Sequence, residues 1–344
     1  IEKLRLGMFL MIREGTAAKD LEALIPVLKE CNTRKCIFVT DDRHPSDLKE
    51  HINGMVRRSV EAGVDPIKAV QCASLNTAEY FGLKNLGAVA PGYRADLLIF
   101  PDLKTFKPDF VIKDGEVIVE NGKLTVRLED SETPSMRGSV NVKWIEPEDF
   151  RIEAKSEDVR TIEVIPHQLV TKSIVSKAKN EAGNLVSNTD TDTLKICVIE
   201  RHRATGNIGK GFVKGFNIKR GAMAATVAHD AHNLFVIGTN DEDMALAANT
   251  LINCGGGTCA VADGKVLGLV ELPLAGLMNT LSAEEMAKKV DDLGKAWKQI
   301  GCDIVSPFMT MAIIPLACLP ELRLTNRGLV DCTKFTFVPL EVEE

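Results

Sequence analysis

Three features are scarce in this 344-residue sequence: aromatic side chains, long apolar runs and an excess of positive charge. Only 5% of the residues are aromatic, which argues against a surface that stacks nucleic-acid bases. Acidic residues outnumber basic ones by 48 to 42, and the net charge of −6 argues against a basic nucleic-acid-binding face. No apolar run approaches the roughly 20 residues that span a bilayer. The sequence therefore predicts no nucleic-acid partner and no membrane partner.

Export signals and paired cysteines are also missing. The chain opens at Ile1 without a basic segment or a signal-type apolar stretch. Its nine cysteines are odd in number and irregularly spaced, which fits reduced thiols better than a disulfide framework. These features predict a cytoplasmic protein. The remaining composition, 45% hydrophobic and 26% charged, is typical of globular chains with room for two domains or one large one.

Short apolar strands alternate with helices in residues 1–85. Strands are predicted at 8–12 and 36–40, with a helix between them. Ser46 is predicted to cap the next helix, and Asp65 another. This order is typical of a parallel sheet with crossover helices, but a (β/α)₈ barrel needs more units. We therefore expect this region to be the end of a domain whose beginning is not in the sequence.

The pattern changes after residue 85. The turn signals Asp114-Gly115 and Asn121-Gly122 predict hairpins in residues 86–127. Residues 128–160 are rich in charge, serine and proline and are predicted to form a linker or an irregular crossing. Mixed strands and helices in residues 161–344 predict a separate α+β domain, in which Ser282 and Glu285 form a helix capping box.

Two adjacent carboxylates, Asp41 and Asp42, directly follow the second apolar strand. Catalytic groups collect at the C-terminal ends of strands in parallel α/β sheets and barrels. A carboxylate at this place can bind a metal or move a proton, and two carboxylates can divide these tasks. The alternative is that the pair caps the helix that begins near Ser46. Arg13 and Glu14 either face the same pocket as Asp41 or form an ion pair with each other.

A second polar cluster is His229-Asp230-Ala231-His232-Asn233. Such a cluster ligates a metal, binds a polar heterocycle by hydrogen bonds, or is a structural pair of histidines in a polar turn. With two histidines and no third ligand nearby, it would be an incomplete zinc site. The glycines of Gly206-x-x-Gly209-x-Gly211 resemble a phosphate loop, but no helix pattern follows, so a turn between strands is favoured.

Several segments are similar to a known family. Residues 11–15, residues 40–43 and the stretch from Asn76 to Leu97 resemble the metal-dependent amidohydrolases. The C-terminal segments resemble the bacterial and archaeal adenine deaminases of that superfamily, and they comprise residues 224–233, 255–257, 272–278 and 334–342. The likeness runs along nearly the whole chain.

The resemblance implies an α/β fold in three parts. These are the last βα units of an amidohydrolase (β/α)₈ barrel in residues 1–85, part of a small β-sandwich in 86–127, and a C-terminal α+β domain in 161–344. It also implies a homo-oligomer that hydrolyses adenine to hypoxanthine and ammonia in purine salvage. Manganese is the expected divalent metal, with iron or zinc as alternatives.

The resemblance also implies roles for single residues. Asp41 has the position of the superfamily's metal-contacting acid/base. Asp42 and Glu14 are candidates for contact with adenine. So are His229, Asp230 and His232, because the histidine cluster is expected to approach the barrel mouth. The family's histidine ligands and bridging glutamate lie upstream and are absent here. We therefore expect the C-terminal portion of such an enzyme, inactive without its N-terminal part.

Two other functions stay open at this point. One is the hydrolysis of a cyclic amide, such as a dihydropyrimidine or a hydantoin, by an enzyme of the same superfamily. The other is a non-catalytic ligand-binding or assembly module that kept the fold and lost the metal. An assay of ammonia release across nucleobases separates the first from a deaminase, and the upstream coding sequence tests the second.

Overall fold

The computed structural model describes residues 1–16, 19–128, 136–166, 168–304 and 306–342. The chain forms two compact units, the first from Ile1–Arg43 and Asp47–Glu132 and the second from His44–Ser46 and Thr133–Glu344. All nine cysteines are free thiols. Among the described residues, no helix combines the length and the apolar character that a membrane span requires.

The first unit contains short helices and short strands. Its helices are α1 (Glu2–Arg5), α2 (Leu21–Glu30), α3 (Ile52–Glu61), α4 (Pro66–Ala73) and α5 (Leu75–Tyr80). Its strands are β1 (Leu10–Arg13), β2 (Cys36–Val39), β3 (Leu97–Ile99), β4 (Phe110–Lys113), β5 (Glu116–Glu120) and β6 (Lys123–Leu124). Short 3₁₀ helices cover Thr33–Lys35 and Pro45–Lys49.

Strands β1 and β2 are parallel, and α2 connects them, as the sequence predicts. Their apolar side chains form one core with helices α2 to α4, which includes Ile12, Leu28, Phe38 and Met55. The described residues do not close into a barrel, since β1 and β2 form a sheet of two strands. The predicted helix start at Ser46 is wrong, because α3 begins at Ile52 after a separate 3₁₀ turn.

Strands β3 to β6 form an antiparallel sheet in chain order. The predicted hairpin turns are confirmed, since Asp114 and Asn121 take the left-handed conformation, with φ of 51° and 50°. The sheet exposes apolar side chains, which include Leu98, Ile99, Val117 and Leu124. The first unit therefore combines a buried core with an uncovered apolar sheet.

The second unit is built on a larger sheet. Its strands are β7 (Asp158–Val164), β8 (Thr171–Lys177), β9 (Lys179–Glu181), β10 (Asn184–Val186), β11 (Leu194–Ile199), β12 (Ile208–Lys214), β13 (Ala222–Ala225), β14 (Leu234–Gly238), β15 (Gly257–Ala262), β16 (Lys265–Glu271), β17 (Leu322–Thr325), β18 (Gly328–Asp331) and β19 (Thr336–Phe337). Its helices are α6 (Asp241–Cys254), α7 (Ala283–Gln299) and α8 (Pro307–Ile313), and a 3₁₀ turn covers Pro147–Phe150.

Eight of these strands form one mixed sheet in the order β16-β15-β13-β14-β11-β12-β7-β8. Helix α6 packs on one face through residues such as Met244 and Leu251. Helix α7 and the sheet β17-β18-β19 pack on the other face, where Leu293, Trp297 and Leu324 are buried. Both faces are covered, so that every residue of β11, β13, β14 and β15 is buried.

Two local predictions had different outcomes. The capping box of α7 is confirmed, since Ser282 Oγ accepts from the Glu285 N–H at 3.2 Å and Glu285 Oε2 accepts from the Ser282 N–H at 2.9 Å. The predicted turn between strands is confirmed for Gly206, which lies between β11 and β12, but is wrong for Gly209 and Gly211, which lie within β12. A Cβ at Gly209 would collide with the Thr325 carbonyl, so this glycine lets the β17–β18 hairpin pack on β12.

Part of the segment predicted as a linker or crossing belongs to the second unit's core. Ile145 and Phe150 are buried against α6. The Asn249 side chain accepts from the Ile145 N–H at 3.0 Å and donates to the Ile145 carbonyl at 2.8 Å. Residues 129–135 of the predicted linker lie outside the described residues.

Candidate active site

The C-terminal ends of β1 and β2 lie side by side. The Glu14 N–H donates to the Val39 carbonyl at 3.0 Å, and the Thr16 N–H donates to the Asp42 carbonyl at 2.9 Å. A Cβ at Gly15 would lie 3.1 Å from the Asp41 Cβ, so a glycine here allows the close approach. The structure thus places Asp41 at the end of a parallel strand, as the sequence predicts.

Asp41 has an exposed side chain and takes the left-handed conformation, with φ of 57°. Its Oδ1 accepts from the Asp42 N–H at 2.7 Å, and its Oδ2 lies 3.3 Å from Arg13 Nη1. Neither partner is an N–H of a following helix, so the helix-capping alternative fails for Asp41. A carboxylate offers about four acceptor positions, so about two are left for a ligand or a proton.

Arg13 connects two carboxylates. It pairs with Asp20 at 2.8 Å and with Asp41 at 3.3 Å. Burial lowers the pKa of Arg13, but the two carboxylates raise it by more, so the pKa lies above its ordinary value. The predicted alternative of an Arg13–Glu14 ion pair is wrong, since Glu14 pairs with another arginine.

Glu14 points away from Asp41. Consecutive side chains of an extended strand lie on opposite faces, and Glu14 is only 5% exposed. Its Oε1 lies 2.8 Å from Arg58 Nη1, and its Oε2 accepts from the Leu21 N–H at 3.3 Å. The structure therefore brings Arg13, and not Glu14, to Asp41. The role of Glu14 in substrate binding stays a prediction, as does that of the exposed Asp42.

The described part of the chain does not contain a complete metal centre. The described residues contain no group of three or more His, Cys, Asp or Glu side chains that could hold a metal ion. Asp41 is one carboxylate with an arginine beside it, whereas a catalytic divalent metal takes several protein ligands. The residues that are present therefore do not fit a metal centre by themselves.

The His229–Asn233 turn connects β13 to β14. The His229 N–H donates to the Ala312 carbonyl at 2.8 Å, and the His232 N–H donates to the Ala228 carbonyl at 2.6 Å. The rings of His229 and His232 meet edge to face, with their centroids 5.4 Å apart. The structure thus brings the two predicted histidines together, while Asp230 is exposed between them.

The ring of His232 has a defined orientation. Its Nδ1 accepts from the backbone N–H of Ala228 at 3.2 Å. Burial lowers the pKa of His232, and the neighbouring His229 and Arg201 lower it further. The neutral imidazole is therefore the favoured form in the folded chain.

Arg201 holds the backbone of this turn by a hydrogen bond to the His232 carbonyl. The side chain is 2% exposed, and burial lowers its pKa. Its guanidinium donates to the His232 carbonyl, to the Ser139 carbonyl at 3.2 Å and to the Ala275 carbonyl at 3.0 Å. Arg201 thereby joins three loops of the second unit at a single point.

Close backbone packing surrounds Arg201. A Cβ at Gly276 would lie 2.7 Å from Arg201 Nη1, and one at Gly256 would lie 2.5 Å from the Gly276 Cα. Thr226 Oγ1 donates to the Gly276 carbonyl at 2.6 Å and accepts from the Gly257 N–H at 2.8 Å. The glycine-rich segments therefore form a rigid frame beside the histidine turn.

The sequence reasoning missed Arg201 and Arg58. Arg201 follows directly after Glu200 at the end of β11, a fully buried strand whose sequence includes the charged Lys195. That strand is not the continuous apolar run that singled out Asp41, and the contacts of Arg201 are with residues distant in the sequence. Arg58 lies among other polar residues of α3, and no local pattern distinguishes it from them.

Comparison with known proteins gives matches in both regions. The family described as "Adenine deaminase C-terminal domain" matches residues 168–336, and "Amidohydrolase family" matches residues 8–123. The adenine deaminase of Clostridium botulinum (strain Langeland) is 51% identical over 354 residues, which cover 100% of this chain and 59% of the relative. Adenine deaminase 2 of Carboxydothermus hydrogenoformans is 45% identical, over 99% of this chain and 60% of the relative.

An archaeal relative gives the same result. The adenine deaminase of Methanothrix thermoacetophila is 42% identical over 345 residues, which cover 100% of the chain and 60% of the relative. The chain therefore spans about 60% of the length of the curated relatives that it matches.

Proposed function

The chain belongs to the adenine deaminase family of the amidohydrolases, and we propose that the protein that contains it hydrolyses adenine to hypoxanthine and ammonia. The observation that carries the proposal is the 51% identity to an adenine deaminase over 100% of the chain. This match includes both the strand end that bears Asp41 and the C-terminal domain that bears the histidine turn.

Asp41 is proposed as the acid/base of this reaction. Hydrolytic deamination adds water to the amino-bearing carbon and expels ammonia, so one proton must leave the water and another must reach the amine. A carboxylate with free acceptor positions at a strand end can make both transfers. Arg13 orients this carboxylate through Oδ2. Asp42, adjacent and exposed, is proposed to contact the purine, and Glu14 is a further candidate.

We propose that the whole protein needs a divalent metal, with manganese expected before iron or zinc. Asp41 is the ligand that this chain contributes, and the other ligands belong to the part of the relatives that this chain does not cover. Metal analysis of the longer protein checks both the identity of the ion and its dependence on Asp41.

The first unit exposes apolar side chains on its sheets, and this exposure supports the proposal that a further segment covers them. Parallel sheets are normally covered on both faces, yet Met11 in β1 is 42% exposed. In the antiparallel sheet, Leu98 and Leu124 are 52% and 57% exposed. We propose that the remaining strands of a (β/α)₈ barrel and of a β-sandwich cover these side chains in the whole protein.

The assay compares Asp41→Asn with Asp20→Asn in the longer protein. Both variants remove a carboxylate partner of Arg13, but only the first removes the proposed acid/base. We expect Asp41→Asn to lower kcat for adenine by about 10²-fold or more, and Asp20→Asn to stay close to the parent. Equal activity in the two variants would contradict the role of Asp41.

Alternative substrates test the reaction class. We expect ammonia release from adenine and no ring opening of dihydropyrimidines or hydantoins. The 344-residue chain alone is expected to be inactive with added Mn²⁺, because its described residues do not contain a complete metal centre. A longer protein that binds adenine without turnover would instead favour a non-catalytic module.

A further inference from the structure

The hydrogen bond to His232 Nδ1 determines where the ring carries its proton. Nδ1 accepts from the Ala228 N–H at 3.2 Å. A ring nitrogen that accepts an N–H bond presents its lone pair and has no proton of its own. The proton of the neutral imidazole is therefore on Nε2, which makes Nε2 a donor.

The backbone keeps this arrangement in place. The same Ala228 accepts from the His232 N–H through its carbonyl at 2.6 Å, so one residue bonds both the ring and the main chain of His232. Arg201 donates a further hydrogen bond to the His232 carbonyl. Rotation of the ring would break the bond at Nδ1 and leave the buried N–H of Ala228 without an acceptor.

The other ring nitrogen is available to a ligand. Within the described ranges, Nε2 of His232 has no hydrogen-bond acceptor, and the side chain is only partly buried. The ring of His229 packs edge to face against the ring of His232, so a ligand at Nε2 would lie next to an aromatic ring. The turn thus offers an N–H donor next to a flat ring.

We propose that His232 is a fixed hydrogen-bond donor, and that the His229–Asn233 turn binds a ligand through an acceptor atom such as a ring nitrogen of a heteroaromatic base. A metal cannot bind Nε2 of this tautomer, because its proton would have to move to Nδ1, where it would meet the Ala228 N–H. The same conflict excludes His232 as a general base. The choice of adenine as the ligand rests on the proposed function.

Nitrogen NMR on the 344-residue chain tests the tautomer without any substrate. Long-range ¹H–¹⁵N correlations are expected to show a protonated Nε2 and an unprotonated Nδ1 for His232 at neutral pH. A titration with Mn²⁺ is expected to leave the His232 ring signals no more broadened than those of the exposed His51 in the first unit. The Nδ1–H tautomer, or selective broadening of His232, would overturn the proposal.

Kinetics of the longer protein test the donor role. Gln places an amide N–H close to the position of Nε2, whereas Glu, of nearly the same shape, places an acceptor there. We expect His232→Gln to keep KM for adenine within about threefold and His232→Glu to raise it about tenfold or more, since a lost ligand hydrogen bond is worth roughly that factor. The two variants should differ less in kcat.

Equal KM values for the Gln and Glu variants would show that no donor is needed and would overturn the proposal. If the longer protein does not deaminate adenine at all, the proposed function fails, while the NMR result still decides whether His232 is a fixed donor. The two failures are therefore distinguishable.

Discussion

The two regions that carry candidate site residues are stabilised in opposite ways. At the end of β2, Asp41 is exposed and pairs with an arginine that it shares with Asp20. At the His229–Asn233 turn, a buried arginine donates to carbonyls of three loops, and backbone N–H groups fix the histidines. One region is held by ion pairs between exposed side chains and the other by hydrogen bonds to main-chain groups.

This difference predicts how each region responds to a ligand. Exposed ion pairs contribute about 0–1 kcal/mol, so Asp41 can exchange Arg13 for another partner at little loss of stability. Buried hydrogen bonds of the main chain are expensive to leave unsatisfied, so the histidine turn keeps its geometry before a ligand arrives. The strand end is therefore adaptable, and the turn is preorganised.

A second buried arginine in the same unit provides a comparison for Arg201. Arg323 is 0% exposed and donates to the carbonyls of Leu319, Ile313, Leu169 and Pro320, at 2.6 to 3.1 Å. Burial lowers its pKa to about 10. It resembles Arg201 in chemistry but has no contact with the His229–Asn233 turn among these bonds.

The largest effect is expected from Arg201→Met. Its loss leaves buried carbonyls of three loops without a donor, and we expect the free energy of unfolding to fall by about 3 kcal/mol. Urea unfolding measures this change. Arg323→Met is the matched control, because it should lose similar stability while the ring signals of His232 stay in place; His229 is left out of this comparison because it bonds Ala312, next to the Ile313 that Arg323 holds. If both variants left those signals unchanged, Arg201 would not position the turn.

A smaller effect is expected from pH at the same turn. The pKa of His232 is lowered by burial first, and then by His229, Arg201 and His202, against an opposing contribution from Asp230. Below the ordinary value of 6.5, the ring binds a proton in the unfolded chain but stays neutral in the folded one. The unfolded state then binds more protons, so the free energy of unfolding decreases as the pH is lowered, until the folded ring is protonated as well.

Urea unfolding across this pH range checks the sign. The parent chain should lose stability below pH 6.5, and His232→Gln should lose less, because glutamine does not titrate. His51→Gln, at an exposed histidine of the first unit, is the control and should follow the parent. A parent that gained stability on acidification, relative to His232→Gln, would show that the turn favours the charged ring.

Local patterns predicted the elements whose signals are local. Strand β2 is a continuous apolar run, and α4 and α7 begin at recognisable caps, Asp65 and Ser282. The helix start at Ser46 was wrong because a cap residue alone does not show how soon the helix follows. Strand β8 was not predicted, since its exposed positions carry residues such as Lys172 and Ser173, as is common at a sheet edge.

The candidate site shows the same limit. Asp41 could be found because its signal, a carboxylate directly after an apolar strand, lies within a few residues. The contacts of Arg201 join residues 31, 62 and 74 positions apart, and no local pattern connects them. Likewise, Gly209 is needed within β12 only because Thr325 packs on it. Such dependence on distant backbone becomes visible only in the folded chain.

The smallest effect is expected from Arg13→Gln, at the exposed strand end. Both of its ion pairs involve side chains that are 35% to 43% exposed, so we expect the free energy of unfolding to fall by less than about 1 kcal/mol. Added salt should reduce even this difference, because screening weakens exposed pairs. Urea unfolding at low and high salt, with Asp20→Asn beside it, measures the change. A loss comparable to that of Arg201→Met would mean that the strand end is as rigid as the turn, and Asp41 would then be fixed on Arg13 and not adaptable to a ligand.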